Sequence, residues 1–428
     1  MKIKKILAQE ILDSRGNPTI KTMISLDDGS WGWAAVPSGV SIGKYEAVEL
    51  RDKNPKRYNG LGVLQAVENV NQKIAPILTG LDAREQEELD QKMIDLDGTK
   101  NKSNLGSNAI LSVSLALARA AAMFEKKPLY QYLTKFNLDF DGQYIMPITL
   151  MNLMNGGKHA NWATDIQEYM VMPIGVESVV EATRVCAEIY SQLSKTLKKH
   201  NYSLGIGDEG GYAPNVQSNE EPFKLLVEAI ADSGYRVGED VYLAIDAAAS
   251  EFYQNNVYEL KKAGIKVSGQ ELTSFYQKII SQHPVVSLED IFGEDDWQEF
   301  ARFTKNIGKE IQIVGDDLYA TNLERLERGI REKTTNSILV KPNQIGTLSE
   351  TIGVINLARK NGMTSIVSHR SGETEDDFIA DLSVAMATGQ IKTGAPCRGE
   401  RTVKYNRLME IERELGHQAS YNKFPFLR

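Results

Sequence analysis

Six short apolar runs, each followed at once or nearly so by an ionisable side chain, constrain this chain more than any other feature of its sequence. The runs occupy residues 242–245, 285–288, 311–314, 337–340, 364–367 and 390–391. Beyond them stand Asp246, Glu289, Asp316, Lys341, His369 and Lys392, at successive intervals of 43, 27, 25, 28 and 23 residues. All but the first interval match one strand, one helix and their loops, and amphipathic patterns fill the gaps. Strands alternating with helices build a parallel sheet. In a closed α/β barrel, residues leaving the carboxyl ends of the strands meet at one mouth. One polar residue at a strand exit is ordinary surface. Six in succession, restricted to acids, lysines and a histidine, favour a shared site.

The N-terminal third is organised differently. Ile20, Thr22, Ile24 and Leu26 alternate with Lys21, Met23 and Ser25, then Asp27-Asp28-Gly29 turns the chain into a second strand at 31–36. Val63, Val67, Val70, Ile74 and Ile77 follow a helical period, and a further helix is expected over 107–125. Strands followed by helices indicate a small α+β domain over 1–135. Residues 137–142 read as a linker, and 143–428 as an α/β barrel domain.

Three carboxylates at strand ends, Asp246, Glu289 and Asp316, offer only hard oxygen donors, which suit Mg2+ or Mn2+ better than zinc. Three converging acids would otherwise repel one another and hold protons; salt bridges to Lys341 and Lys392 are the competing arrangement. Beside a divalent cation Lys341 is expected to have a lowered pKa and to act as a general base. His369-Arg370-Ser371 adds a planar donor fork and a hydroxyl suited to phosphate or carboxylate. The net charge of −8 argues against nucleic acid or an anionic membrane as the default partner, so an anionic substrate has to be drawn by local cations. Two cysteines far apart, Cys186 and Cys397, fit a reducing compartment. With apolar stretches interrupted by polar residues, a cytoplasmic location and no membrane span are expected.

Gly205-Ile206-Gly207-Asp208-Glu209-Gly210 fits the spacing of a dinucleotide-binding loop. Asp208 and Glu209 would oppose a pyrophosphate, and Pro214-Asn215 continues a loop where that motif needs a helix. The glycines are better suited to placing Glu209 in a cleft. Asp95-Leu96-Asp97-Gly98 begins like a calcium loop, but its ligand series stops and it reads as a turn.

Taken in order, these segments resemble the enolase family along nearly the whole chain. Leu12-Asp13-Ser14-Arg15-Gly16-Asn17-Pro18 is similar to its opening signature, and Ser38-Gly39-Val40-Ser41-Ile42-Gly43 to its metal-binding loop. Asn155-Gly156-Gly157-Lys158-His159, Asp165-Ile166-Gln167-Glu168, Gly207-Asp208-Glu209-Gly210, Ser287-Leu288-Glu289-Asp290, Val340-Lys341-Pro342-Asn343 and Ser368-His369-Arg370-Ser371-Gly372 follow in the expected sequence.

The resemblance implies an N-terminal α+β domain on a modified (β/α)8 TIM-like barrel. It further implies a small-molecule substrate, reversible Mg2+-dependent dehydration of 2-phosphoglycerate to phosphoenolpyruvate, and a homodimer or higher homo-oligomer. Asp246, Glu289 and Asp316 would hold the first Mg2+, and Ser41 would join a second that arrives with substrate. Lys341 would take the C2 proton, and Glu209, aided by Glu168, would protonate the departing hydroxyl. Arg370 and Ser371 would bind phosphate and Lys392 the carboxylate side, with His159, Gln167 and His369 completing the pocket. Ile42, Ile291 and residues 161–164 depart from the family's usual residues without removing an ionisable group. A dehydratase of the wider superfamily would lack the Ser41 loop and the phosphate set, and a non-catalytic relative would have lost site residues.

Overall fold

The computed structural model describes residues 1–39 and 43–427, without the side chain of His159; Ser41 and Ile42 lie outside the described residues. Strands Ile3–Leu12, Pro18–Leu26 and Trp31–Ala35 form an antiparallel meander. The expected alternation holds in the central strand, where Ile20, Thr22, Ile24 and Leu26 are buried and Met23 is exposed. Each aliphatic side chain withdrawn from water there contributes roughly 1.5–3 kcal/mol.

Helix Ser107–Phe124 covers that sheet. Its backbone comes so near that a Cβ on Gly32 would lie 2.3 Å from the Ala120 amide nitrogen and 2.5 Å from the Ala116 carbonyl oxygen. Only glycine admits that approach. Thr22 and Ser112 share a hydroxyl hydrogen bond of 2.6 Å inside the contact. By length and composition this helix could cross a membrane, yet 83% of it is buried inside the fold. The expected helix near 63–78 is divided. A π-helical stretch, Asn69–Ile74, separates Leu64–Glu68 from Ala75–Leu78. The wider turn rotates the apolar face, so Leu78 is buried and Ile77, expected inside, is 38% exposed.

The rest of the chain closes an eight-stranded barrel. Six strands are those expected: Tyr242–Asp246, Val285–Glu289, Gln312–Gly315, Ser337–Val340, Thr364–Ser368 and Gly389–Lys392. Ile148–Asn155 and Glu168–Met172 complete the ring, and Glu168–Met172 runs antiparallel to both neighbours. The long first interval holds a small antiparallel sheet, Tyr253–Gln254, Val257–Leu260 and Ile265–Val267, ahead of helix Gly269–Gln282. Ile148, Met172, Val314 and Ile366 fill the barrel interior, and Phe424 packs with them.

One continuous apolar cluster joins the N-terminal sheet to the barrel helices. Arg119 reinforces the junction, with its fork on Asp376 at 2.8 Å and Asp377 at 2.7 Å. Burial would raise the Asp376 pKa, but the guanidinium outweighs it and holds the carboxyl below its ordinary value.

Candidate active site

Strand register brings the distant residues together. Glu289 pairs with Asp246, and Asp246 with Glu168 on the reversed strand; Ser368 pairs with Lys392. Glu168, Asp246, Asp316, Lys341, His369, Arg370, Ser371 and Lys392 line one pocket at the mouth, with Gln167 and Glu209. Glu289 sits under Lys392, within reach of its amine. Ser41 and the His159 side chain, both expected here, lie outside the described residues.

The lysines occupy the centre of the carboxylate set. Lys392 Nζ donates to Glu289 Oε1 at 2.8 Å and Asp246 Oδ2 at 3.0 Å, and lies 3.2 Å from Glu168 Oε1. Lys341 Nζ is paired with Asp316 Oδ2, whose other oxygen accepts from Gln344 Nε2 at 3.0 Å. The salt bridges that compete with a metal for these oxygens are therefore formed. They reverse the shift expected for Lys341. Burial would lower its pKa, but the Asp316 carboxylate outweighs burial and raises it. The expected lowering assumed a cation beside the amine, whereas here its neighbour is an anion.

Lysines do not balance the site. Eight acids line the pocket against the basic side chains of Lys341, Arg370 and Lys392. Burial, then the charge of Asp246, lifts Glu289 well above the carboxylate range; burial and Glu209 do the same to Glu168. Glu289 Oε2 and Glu168 Oε2 are buried without hydrogen-bond partners among the described residues. Orphaned carboxylate oxygens in an acid-rich pocket are the donors a hard divalent cation takes, so the residues fit Mg2+. Among the described residues, the three carboxylates drawn closest together are Asp290, Asp316 and Asp317. Asp290 is already engaged, since its oxygens accept the amides of Asp316 at 2.8 Å and Asp317 at 2.7 Å. Those bonds set the turn that aims Asp316 into the mouth.

Glu209 arrives from the glycine-rich loop. Gly207 N–H donates to the Gly211 carbonyl at 2.8 Å and Gly210 N–H to the Gly207 carbonyl at 3.1 Å, forming a tight turn where a dinucleotide motif would open a helix. Glu209 Oε2 accepts from Asn152 Nδ2 at 2.9 Å, and Oε1 accepts from Ser371 Oγ at 3.3 Å. Arg370 reaches Glu46 Oε2 at 2.7 Å and Asn343 Oδ1 at 3.1 Å.

Comparison with known proteins covers nearly the whole chain. Residues 3–133 match the family model for the enolase N-terminal domain, and residues 143–427 match that for the enolase C-terminal TIM barrel domain. The chain belongs to the enolase family. Enolase 1 of Methanospirillum hungatei is 50% identical over 422 residues, spanning 98% of this chain and 97% of that one. Membership makes the chain an enzyme of the hydro-lyase class, a phosphopyruvate hydratase.

Three residues of this enolase-family site escaped the sequence reading. Asp290 had a signal: two consecutive acids at a strand end leave one for the mouth and one for the next turn. Glu46, the ionic partner of Arg370, and Arg401, beneath His369, had none, because only folding brings them there.

Proposed function

We propose that this enzyme interconverts 2-phosphoglycerate and phosphoenolpyruvate with Lys341 as base and Glu209 as acid. The observation that carries the reading is that these two groups line one pocket and are held by separate sets of partners. Lys341 is held by Asp316, and Glu209 by Asn152 and Ser371. A base and an acid with independent supports can act on two carbons of one substrate. Lys341 takes the C2 proton, and Glu209, with Glu168 beside it in the pocket, gives a proton to the C3 hydroxyl, which departs as water. Arg370 and Ser371 receive the phosphate, for which Glu46 has to share the guanidinium, and Lys392 faces the carboxylate side. Gln167, His369 and His159 enclose the rest.

Asp246, Glu289 and Asp316 would hold Mg2+, with Ser41 joining a second ion alongside substrate; that charge stabilises the anion developing on the substrate carboxylate. Loading the ion requires Lys392 and Lys341 to yield the carboxylate oxygens they now engage. Residues 1–135 would cap a catalytic unit over 143–428, in a cytoplasmic homodimer or higher homo-oligomer. The test is to follow phosphoenolpyruvate absorbance from 2-phosphoglycerate with and without Mg2+. Product that forms only with the metal supports the reading, and no product under either condition overturns it.

A further inference from the structure

Arg401 stands in helix Gly399–Leu415, outside the set of residues that face the pocket, and its side chain is fully buried. Among the described residues its guanidinium makes no hydrogen bond to a carboxylate; Glu400 Oε1 lies 3.6 Å from Nε. All the donors it uses go to two active-site segments. One terminal nitrogen reaches His369 Nδ1 and the Arg370 carbonyl, both at 2.7 Å; the other reaches the Ser371 carbonyl at 2.6 Å and the Asp208 carbonyl at 3.2 Å. Passage for the side chain depends on Gly394. A Cβ there would lie 2.9 Å from Arg401 Cδ and 2.7 Å from the Glu209 carbonyl oxygen.

We infer that Arg401 is a positioning residue that locks the loop carrying Glu209 to the segment carrying Arg370 and Ser371, and fixes the tautomer of His369. A guanidinium can only donate. Nδ1 of His369 must therefore accept, leaving the ring neutral with its proton on Nε2, which faces Glu209 Oε1 at 3.8 Å. The buried imidazole is held far from protonation, in agreement with that state. Lys341 is held by Asp316, which belongs to neither of the segments that Arg401 ties together. Loss of Arg401 should hence disturb the acid side of the reaction more than the base side. This kinetic part rests on the assignment of Lys341 and Glu209 proposed above; the tautomer does not.

The test combines two readouts on the full-length enzyme. Long-range nitrogen–proton NMR on 15N-histidine-labelled protein reads the ring state, with His369 assigned by comparison with His369→Asn. Wild type is expected to show a single neutral Nε2–H form from pH 6 to 9, and Arg401→Met a mixture of tautomers. In the same variant, phosphoenolpyruvate formation should fall at least about tenfold further than C2 proton exchange, and Arg401→Lys, which keeps charge but loses the fork, should restore neither. A His369 that is Nδ1–H or protonated in wild type overturns the inference whatever the activity. So does an Arg401→Met enzyme with an unchanged tautomer and equal losses of exchange and dehydration. Should Arg401→Met fail to fold, Arg401→Lys supplies the same comparison and wild type still reports the tautomer. A wild type with the expected ring state but no dehydration would instead count against the proposed reaction.

Discussion

The floor and the mouth of the barrel are built from the same eight strands and bury opposite things. On the floor, Ile148 and Met172 join Phe424 in an apolar cluster. At the mouth, the same strands bury Glu168, Asp246, Glu289 and Lys392, each at most 4% exposed. Buried charges of this kind cost desolvation that their mutual attraction repays only with good geometry. Two of the carboxylate oxygens find no partner among the described residues. The floor is therefore finished by folding, whereas the mouth is left to be finished by what binds there. Stability and activity should separate along the barrel axis.

The sharpest way to break that comparison is at Lys341. Lys341→Ala should abolish both dehydration and exchange of the C2 proton, with the fold retained by circular dichroism. A variant that still exchanges at near wild-type rate would remove Lys341 as the base. Glu209→Gln comes next. Phosphoenolpyruvate formation should fall about 10²-fold or more while C2 exchange persists, because the acid is lost and the base is left. Equal loss of both activities would sink the division of labour.

The floor supplies the converse. Ile148→Ala should cost about 2–5 kcal/mol of stability in denaturant melts, yet leave kcat of the folded enzyme within about twofold. A large fall in kcat would mean that the two ends are not separable. The smallest effect is on the protein's own charge balance. Mg2+ at about 100 times its dissociation constant should stabilise wild type by about 2.7 kcal/mol, read as a rise in Tm. Glu289→Gln should lose most of that rise. An equal rise in the variant would place the ion elsewhere.

How much of this was legible in the sequence follows from where each residue sits on its strand. Asp246, Glu289, Asp316, Lys341, His369 and Lys392 lie at or just beyond strand exits, so their spacing exposed both the barrel and the site. The same rule passes over the other two barrel strands. Ile148–Asn155 ends on an uncharged residue, and Glu168 stands at the beginning of its strand rather than the end. Glu168 emerges through family resemblance instead, and Glu209 through the glycine-rich loop suited to placing it in a cleft. Hydrogen-bond partners distant in sequence, such as Arg401 for His369 and Glu46 for Arg370, leave no periodic trace. The π-helical stretch at Asn69–Ile74 likewise has no signature in the apolar spacing, which continues through it as though the helix were regular. In the sequence, pairing of the acids with lysines competes with metal binding as an alternative, and in the structure the lysines engage the oxygens that the proposed ion would need.

The reversed strand has a further consequence, for how quickly the ring can assemble. Asn155 pairs with Glu168 across only 13 residues. Gln390 meets Ile148, the junction that seals the barrel, across about 240. Local pairings form early because little chain entropy is lost in closing a short loop, whereas distant ones wait for the intervening chain to order. Turning one strand around gives an otherwise slow parallel architecture a hairpin from which folding can start, and that hairpin already holds Glu168 beside its connecting loop.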